Sequence, residues 1–233
     1  SADLHFWEEP CISGSRGSGA IFFSGCNLRC VYCQNAEIAA GTRGREISVS
    51  RLSEIFLELQ EKKANNINLV TAGQFVPQIV EALKKAKEKG LDLPIVYNTS
   101  SYENVETLKL LDGYVDIYLP DLKYVDKELS KRYSHGEDYF QRAKEAIEEM
   151  VRQTGEMEFV VEGSIDWKVA EPERKRGVGK EAGMKQKENR TERIGIEEYQ
   201  IRSEQGEELV MTRGVIVRHL ILPGCVEDSK KVL

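Results

Sequence analysis

Short apolar, β-branched runs alternate with stretches of helical periodicity through the first 155 residues, and no other feature restricts the fold as strongly. Strands separated by helices lie side by side most readily as a parallel sheet, because each crossover returns the chain to the end from which it started. The strands read at 20–23, 67–70, 95–97, 115–119 and 215–222. Ser48 can cap a helix whose Leu52, Ile55, Phe56 and Leu59 recur at helical spacing, and Val76, Ile79, Val80, Leu83 and Ala86 mark a second that Gly90 ends. A short helix near 104–111 and a longer amphipathic one carrying Tyr139, Ala143, Ile147, Met150 and Val151 complete the cycle. Right-handed crossovers would curl such a sheet, so the expected architecture is α/β, a (βα) barrel or part of one.

One stretch breaks the pattern. Of the 41 residues 168–208, 20 are charged, with few large apolar side chains, and such a segment is expected to be a solvated excursion. Its flanks, 158–161 and 208–211, suit a hairpin. The chain therefore reads as a single domain over 1–233 with a charged insertion at 162–207, placed before the fifth strand. It begins without Met and ends where a helix starts, and so reads as a fragment. With 33 Lys and Arg against 39 Asp and Glu, the net charge of -6 gives no general footprint for nucleic acid or an anionic membrane. No apolar run approaches the ~18–20 residues that span a bilayer. A soluble, cytoplasmic protein is expected, with neither a membrane nor a nucleic-acid partner.

Three of the five cysteines, Cys26, Cys30 and Cys33, fall within eight residues directly after the first strand. Soft thiolates at this spacing suit an iron–sulfur cluster or zinc in a reducing compartment better than a disulfide framework. Structural zinc wants a fourth Cys or His close by, and the nearest, Cys11, lies fifteen residues back. A four-iron cluster held by three thiolates keeps one iron open for a ligand other than cysteine. On that reading Cys11 and Cys225 are inert or accessory, and His135 is a surface residue. The glycine-rich run 13–19 precedes a strand rather than a helix, which argues against dinucleotide binding.

The Cys-x3-Cys-x2-Cys pattern, with Tyr32 just before its last cysteine, resembles that of the radical S-adenosylmethionine (SAM) enzymes. The wider string Trp7-Glu8-Glu9-Pro10-Cys11-Ile12-Ser13-Gly14, followed by Phe22-Phe23-Ser24-Gly25-Cys26-Asn27-Leu28-Arg29-Cys30-Val31-Tyr32-Cys33-Gln34-Asn35, is similar to relatives of pyruvate formate-lyase activating enzyme. The resemblance implies a partial (βα) barrel of the radical SAM type, truncated after about its fifth strand, a [4Fe–4S] cluster on the three thiolates, SAM chelated to the open iron through its amino and carboxylate groups, and Tyr32 beside the adenine.

The ends of the other strands are polar, where a parallel barrel meets its ligands. Thr71-Ala72-Gly73-Gln74 occupies the slot in which the family carries Gly-Gly-Glu to receive the SAM amino group; Gly73 suits a close backbone approach, and Gln74 stands in place of the acid. Asn98 and Thr99 resemble the family's segment near the methionine moiety or ribose. Asp121 and Lys123 match an Asp-x-Lys whose two-residue spacing turns both side chains to one face, so that Asp121 can anchor Lys123 against a carboxylate. Arg218 resembles the arginine placed near SAM in activating enzymes.

The activity implied is reductive cleavage of SAM to a 5′-deoxyadenosyl radical for hydrogen abstraction, an oxidoreductase chemistry that in activating enzymes leaves a glycyl radical on a partner enzyme. A glycyl-radical enzyme and a low-potential electron donor such as flavodoxin or ferredoxin are the implied partners. Two alternatives stand beside it: a radical SAM enzyme acting on a small molecule or RNA, and an iron–sulfur electron-transfer protein without catalysis.

Overall fold

The computed structural model describes residues 1–162 and 208–232. Its elements run β1 (Ala2–His5), α1 (Pro10–Ser13), β2 (Ser18–Phe22), α2 (Ala36–Ala39), α3 (Val49–Glu61), β3 (Ile67–Val70), α4 (Val76–Glu88), β4 (Ile95–Thr99), α5 (Val105–Lys109), β5 (Ile117–Pro120), α6 (Lys127–Ser134), α7 (Tyr139–Thr154), β6 (Glu158–Val161), β7 (Leu209–Val215) and α8 (Val226–Val232). They form one α/β sheet of seven strands in the order β1-β2-β3-β4-β5-β7-β6. Pairings from β2 through β7 are parallel, while β1 and β6 join antiparallel at the two borders. Five parallel strands are therefore present, as the alternation requires.

Alternation along the strands sorts residues to two faces. Ile67, Leu69, Ile95, Tyr97 and Tyr118 turn to one side and pack under α3, α4 and α7 with Phe56, Leu59, Ile79, Leu83 and Met150. The Ser48 hydroxyl accepts the Arg51 amide at 3.1 Å and starts α3 as its sequence position suggests. Gly90, at φ 93, follows the end of α4. On the opposite face Val96, Ile117, Leu119 and Met211 meet Cys11 and Ile12 of α1, which plugs that side of the sheet near the strands' starting ends. The amides of Ser15 and Arg16, within the glycine-rich run, donate to the Glu162 carboxylate at 2.9 and 3.2 Å and tie this plug to the end of β6.

One strand differs from its reading. The segment expected at 215–222 is a strand only up to Val215; it begins at Leu209, so the expected hairpin arm and the expected fifth strand are one element, bonded to β6 on one side and β5 on the other. Its parallel ladder with β5 covers Ile117 and Tyr118 and ends at Val215, beyond which an isolated bridge links Asp121 and Arg218. The short strand β1 and the helices α1 and α6 had no periodic signal in the sequence. The helix read near 104–111 is the five-residue α5. Glu162 donates its amide to the Glu208 carbonyl at 2.9 Å, closing the hairpin foot; the rest of the charged stretch, 163–207, lies outside the described residues. Among the described residues no helix is long and apolar enough to cross a membrane.

Candidate active site

Cys26, Cys30 and Cys33 lie half-buried in the loop that leaves β2, all three as free thiols. The loop is fixed by an anchor and by backbone bonds. Leu28 is 1% exposed and inserts among Tyr124, Tyr139 and Ala143, while the Val31 amide donates to the Tyr133 carbonyl at 2.9 Å and the Cys33 amide to the Cys30 carbonyl at 3.1 Å. Burial raises the Cys26 thiol, the nearby Cys30 and Cys33 add to that rise, and Lys123 opposes it. Cys26 thus lies within electrostatic reach of both other cysteines and of a lysine from beyond the end of β5. Such a donor set fits a cubane, which spreads three thiolates over three irons instead of converging them on one ion; among the described residues no three His, Cys, Asp or Glu side chains are gathered for a single metal ion. Cys11 belongs to the apolar plug, with its thiol pushed up to about 11 by burial, and Cys225 is buried at the start of α8.

Beside the loop opens a cavity of about 420 Å³, lined by Cys26 together with Gly73, Gln74 and Thr99, and by Thr71, Ser100 and Glu103. Its volume falls within the range of small-molecule sites. The strand ends that build it are bent sharply. Thr71 after β3 and Ser101 after β4 hold φ values of 56 and 65°, left-handed conformations that cost a non-glycine residue ~1–2 kcal/mol and are commonly kept where geometry serves a site. Gln74 turns its amide away from the cavity centre, donating to the carbonyls of Ser24 (3.1 Å) and Gly25 (2.7 Å), and so ties the strand end to the cysteine loop.

Asn98, Asp121, Lys123 and Arg218 form a polar layer on the face that carries the apolar plug, toward the strands' carboxyl ends. Lys123 Nζ stands 2.6 Å from Asp121 Oδ2, as the two-residue spacing requires. Arg218 donates from Nε to Asp121 Oδ1 at 2.9 Å and from Nη2 to Asn98 Oδ1 at 2.5 Å, and its Nη1 lies 3.3 Å from Glu8. Asn98 donates in turn to Glu8. Burial raises the Glu8 carboxyl, with Arg218 opposing the rise. Arg218 is thereby ion-paired within the protein.

Tyr32 packs half-buried near Leu28 and Tyr124, its hydroxyl 2.6 Å from that of Tyr124. Tyr124 in turn lies 2.9 Å from the Ser134 hydroxyl, which donates to Cys30 Sγ at 3.0 Å. His135 is exposed and closes α6 at φ 58. Four residues in this region escaped the sequence reading: Glu8, Glu103, Ser134 and His219. His219 Nδ1 is 2.5 Å from the Leu122 carbonyl, and its buried Nε2 has no partner among the described residues. Only Glu8 and His219 carried a signal, as polar residues flanking quoted motifs.

Comparison with known proteins agrees with this geometry. The family model of the Radical SAM superfamily matches residues 20–157, more than half of the chain. An uncharacterised protein of Methanocaldococcus jannaschii is 33% identical over 143 residues, 59% of this chain and 41% of that protein. The pyruvate formate-lyase-activating enzyme of Clostridium pasteurianum is 27% identical over 137 residues, 54% of this chain and 56% of the enzyme. A further M. jannaschii protein, named as a glycyl-radical enzyme activating enzyme, is 31% identical over 131 residues, 53% of this chain and 51% of its own length. The chain spans about half the length of the curated relatives it matches.

Proposed function

This chain belongs to the radical SAM superfamily, whose enzymes use a [4Fe–4S] cluster and SAM, and from that premise we propose that it cleaves SAM reductively and passes the radical to a glycyl-radical enzyme. The observation that carries the reading is a loop of three free thiols whose first, Cys26, lines a cavity together with Gly73 and Thr99. Bound together, cluster and SAM supply one-electron cleavage of the S–C5′ bond, giving methionine and a 5′-deoxyadenosyl radical that abstracts hydrogen.

The chain's residues hold and orient. Cys26, Cys30 and Cys33 bind the cluster. Gly73 and Thr99 border SAM, with Gln74 bracing the loop against it. Lys123, steered by Asp121, offers the nearest positive charge to a carboxylate at the cluster, since its ammonium is felt at Cys26. Arg218 and Asn98 hold Asp121 in position from below. Tyr32 borders the adenine on the side of α6. The plug of Cys11 and Ile12 closes off the polar layer from the side of the strands' starting ends. A low-potential donor of the flavodoxin or ferredoxin type supplies the electron. Two relatives named for activating pyruvate formate-lyase or glycyl-radical enzymes support the choice of partner.

The test is anaerobic reconstitution with iron and sulfide, reduction, and chromatography for 5′-deoxyadenosine. Product that depends on SAM and on all three cysteines supports radical SAM chemistry, whereas a reduced cluster that leaves SAM intact would assign the chain to electron transfer. A glycyl-radical doublet in the electron paramagnetic resonance of an added partner enzyme distinguishes activation from small-molecule chemistry.

A further inference from the structure

The family resemblance asks for an acid at position 74 to receive the SAM amino group, and this chain has glutamine there, with its amide spent on two carbonyls. A carboxylate nevertheless lies in the same cavity, contributed by the next strand. Glu103 follows the left-handed turn at Ser101, and that turn folds its side chain back over Gly73: a Cβ on Gly73 would stand 2.6 Å from Glu103 Oε2. The other oxygen, Oε1, accepts from the Thr99 hydroxyl at 2.5 Å and from the Tyr97 hydroxyl at 3.3 Å. Both hydroxyls therefore clamp one oxygen and leave Oε2 turned toward the cavity. Among the described residues no Lys, Arg or His pairs with this carboxylate, and burial without a cation raises its carboxyl above the ordinary range. An oriented, half-buried carboxylate with an oxygen left over, in a cavity that also contains Cys26, is a receptor for an N–H donor, to which it offers a charge-assisted hydrogen bond.

We propose that Glu103 receives the amino group of SAM, its carboxylate accepting an N–H from that nitrogen and supplying from the end of β4 the charge that Gln74 lacks at the end of β3. The inference rests on the SAM reading above and deepens it by assigning the contact. It also accounts for Gly73: any side chain there would displace the carboxylate from the position it holds.

The test compares SAM with 5′-methylthioadenosine, which retains the adenosine and sulfur but has no amino-acid moiety. Anaerobically reconstituted wild type, Glu103→Gln and Gly73→Ala are titrated with each by calorimetry, with iron content and thermal midpoint as folding controls. Both variants should lose at least about tenfold in SAM affinity while methylthioadenosine binding stays unchanged, because one charge-assisted contact is removed and the adenosine contacts are kept. Wild-type SAM affinity should weaken as pH falls and Glu103 takes up a proton, and Glu103→Gln should flatten that profile. Unchanged SAM affinity in both variants, or an equal loss of the two ligands, overturns the assignment, the second by showing a structural role only. Fully loaded wild type that binds no SAM overturns the functional reading itself, a result distinct from failure of the variants.

Discussion

The Ser134 hydroxyl at the end of α6 donates to Cys30 Sγ at 3.0 Å, across 104 residues of sequence. Tyr124 and Tyr32 extend this contact into a line of hydroxyls that fixes the donor. Hydrogen bonds to cluster sulfurs stabilise the more negative, reduced state and so raise the potential. Ser134→Ala should shift the couple negative by up to about 40 mV, the one-electron equivalent of a hydrogen bond of ~1 kcal/mol. Redox titration monitored by electron paramagnetic resonance reads this directly. Tyr32→Phe, which removes only the far end of the line, should produce a smaller shift.

Cysteine replacements separate ligands from packing. Cys26→Ala, Cys30→Ala or Cys33→Ala should each abolish the brown cluster absorbance after reconstitution. Cys11→Ala should keep full iron content and instead lower stability by ~1–2 kcal/mol in denaturant, because it trims an apolar plug. Equal loss of iron in Cys11→Ala and Cys225→Ala would contradict the open-iron arrangement.

Lys123 and Arg218 have different surroundings and should fail differently. Lys123 has one carboxylate partner at the cavity side of the polar layer, so Lys123→Ala should weaken SAM binding by ~1.5–3 kcal/mol with the cluster intact. Arg218 is shared among Asp121, Asn98 and Glu8. Arg218→Ala leaves these groups without their common donor, and a loss of ~1–3 kcal/mol of folding stability should accompany any loss of SAM affinity. Denaturant unfolding beside anaerobic calorimetry resolves the two effects.

Acid should loosen α7 through Glu149. Arg152 donates to both of its carboxylate oxygens at 2.8 Å and Gln153 adds a bond at 2.7 Å, which together hold the carboxyl down at about 2. Because the folded value lies below the ordinary 4.5, the stability Glu149 contributes is complete above that pH and is lost as pH falls toward 2. The unfolding midpoint of Arg152→Ala should lie slightly below wild type at pH 7, with the gap narrowing by pH 3.

The sequence reveals the parallel strands and the cysteine loop because both are local: periodicity marks each helix, and three thiols within eight residues need no tertiary partner to be noticed. It conceals what depends on distant pairing. Nothing in Ala2–His5 specifies a strand until β2 offers its edge, and the 209–215 run cannot announce that both of its flanks will be bonded. Glu103 looks like one polar residue in a capping loop, and only the turn at Ser101 brings it over Gly73. Ser134 lies 104 residues along the chain from the thiol it bonds.

The two antiparallel strands at the borders have a consequence for how this protein behaves in a crowd. An open parallel sheet offers unpaired backbone to any passing strand, and growth at such an edge is a common route to aggregation. Here each border is a four-residue strand running against its neighbour, β1 carrying Asp3 and β6 beginning at Glu158. Short charged margins give an incoming chain little length to template on, so the sheet that frames the reactive loop also discourages its own polymerisation.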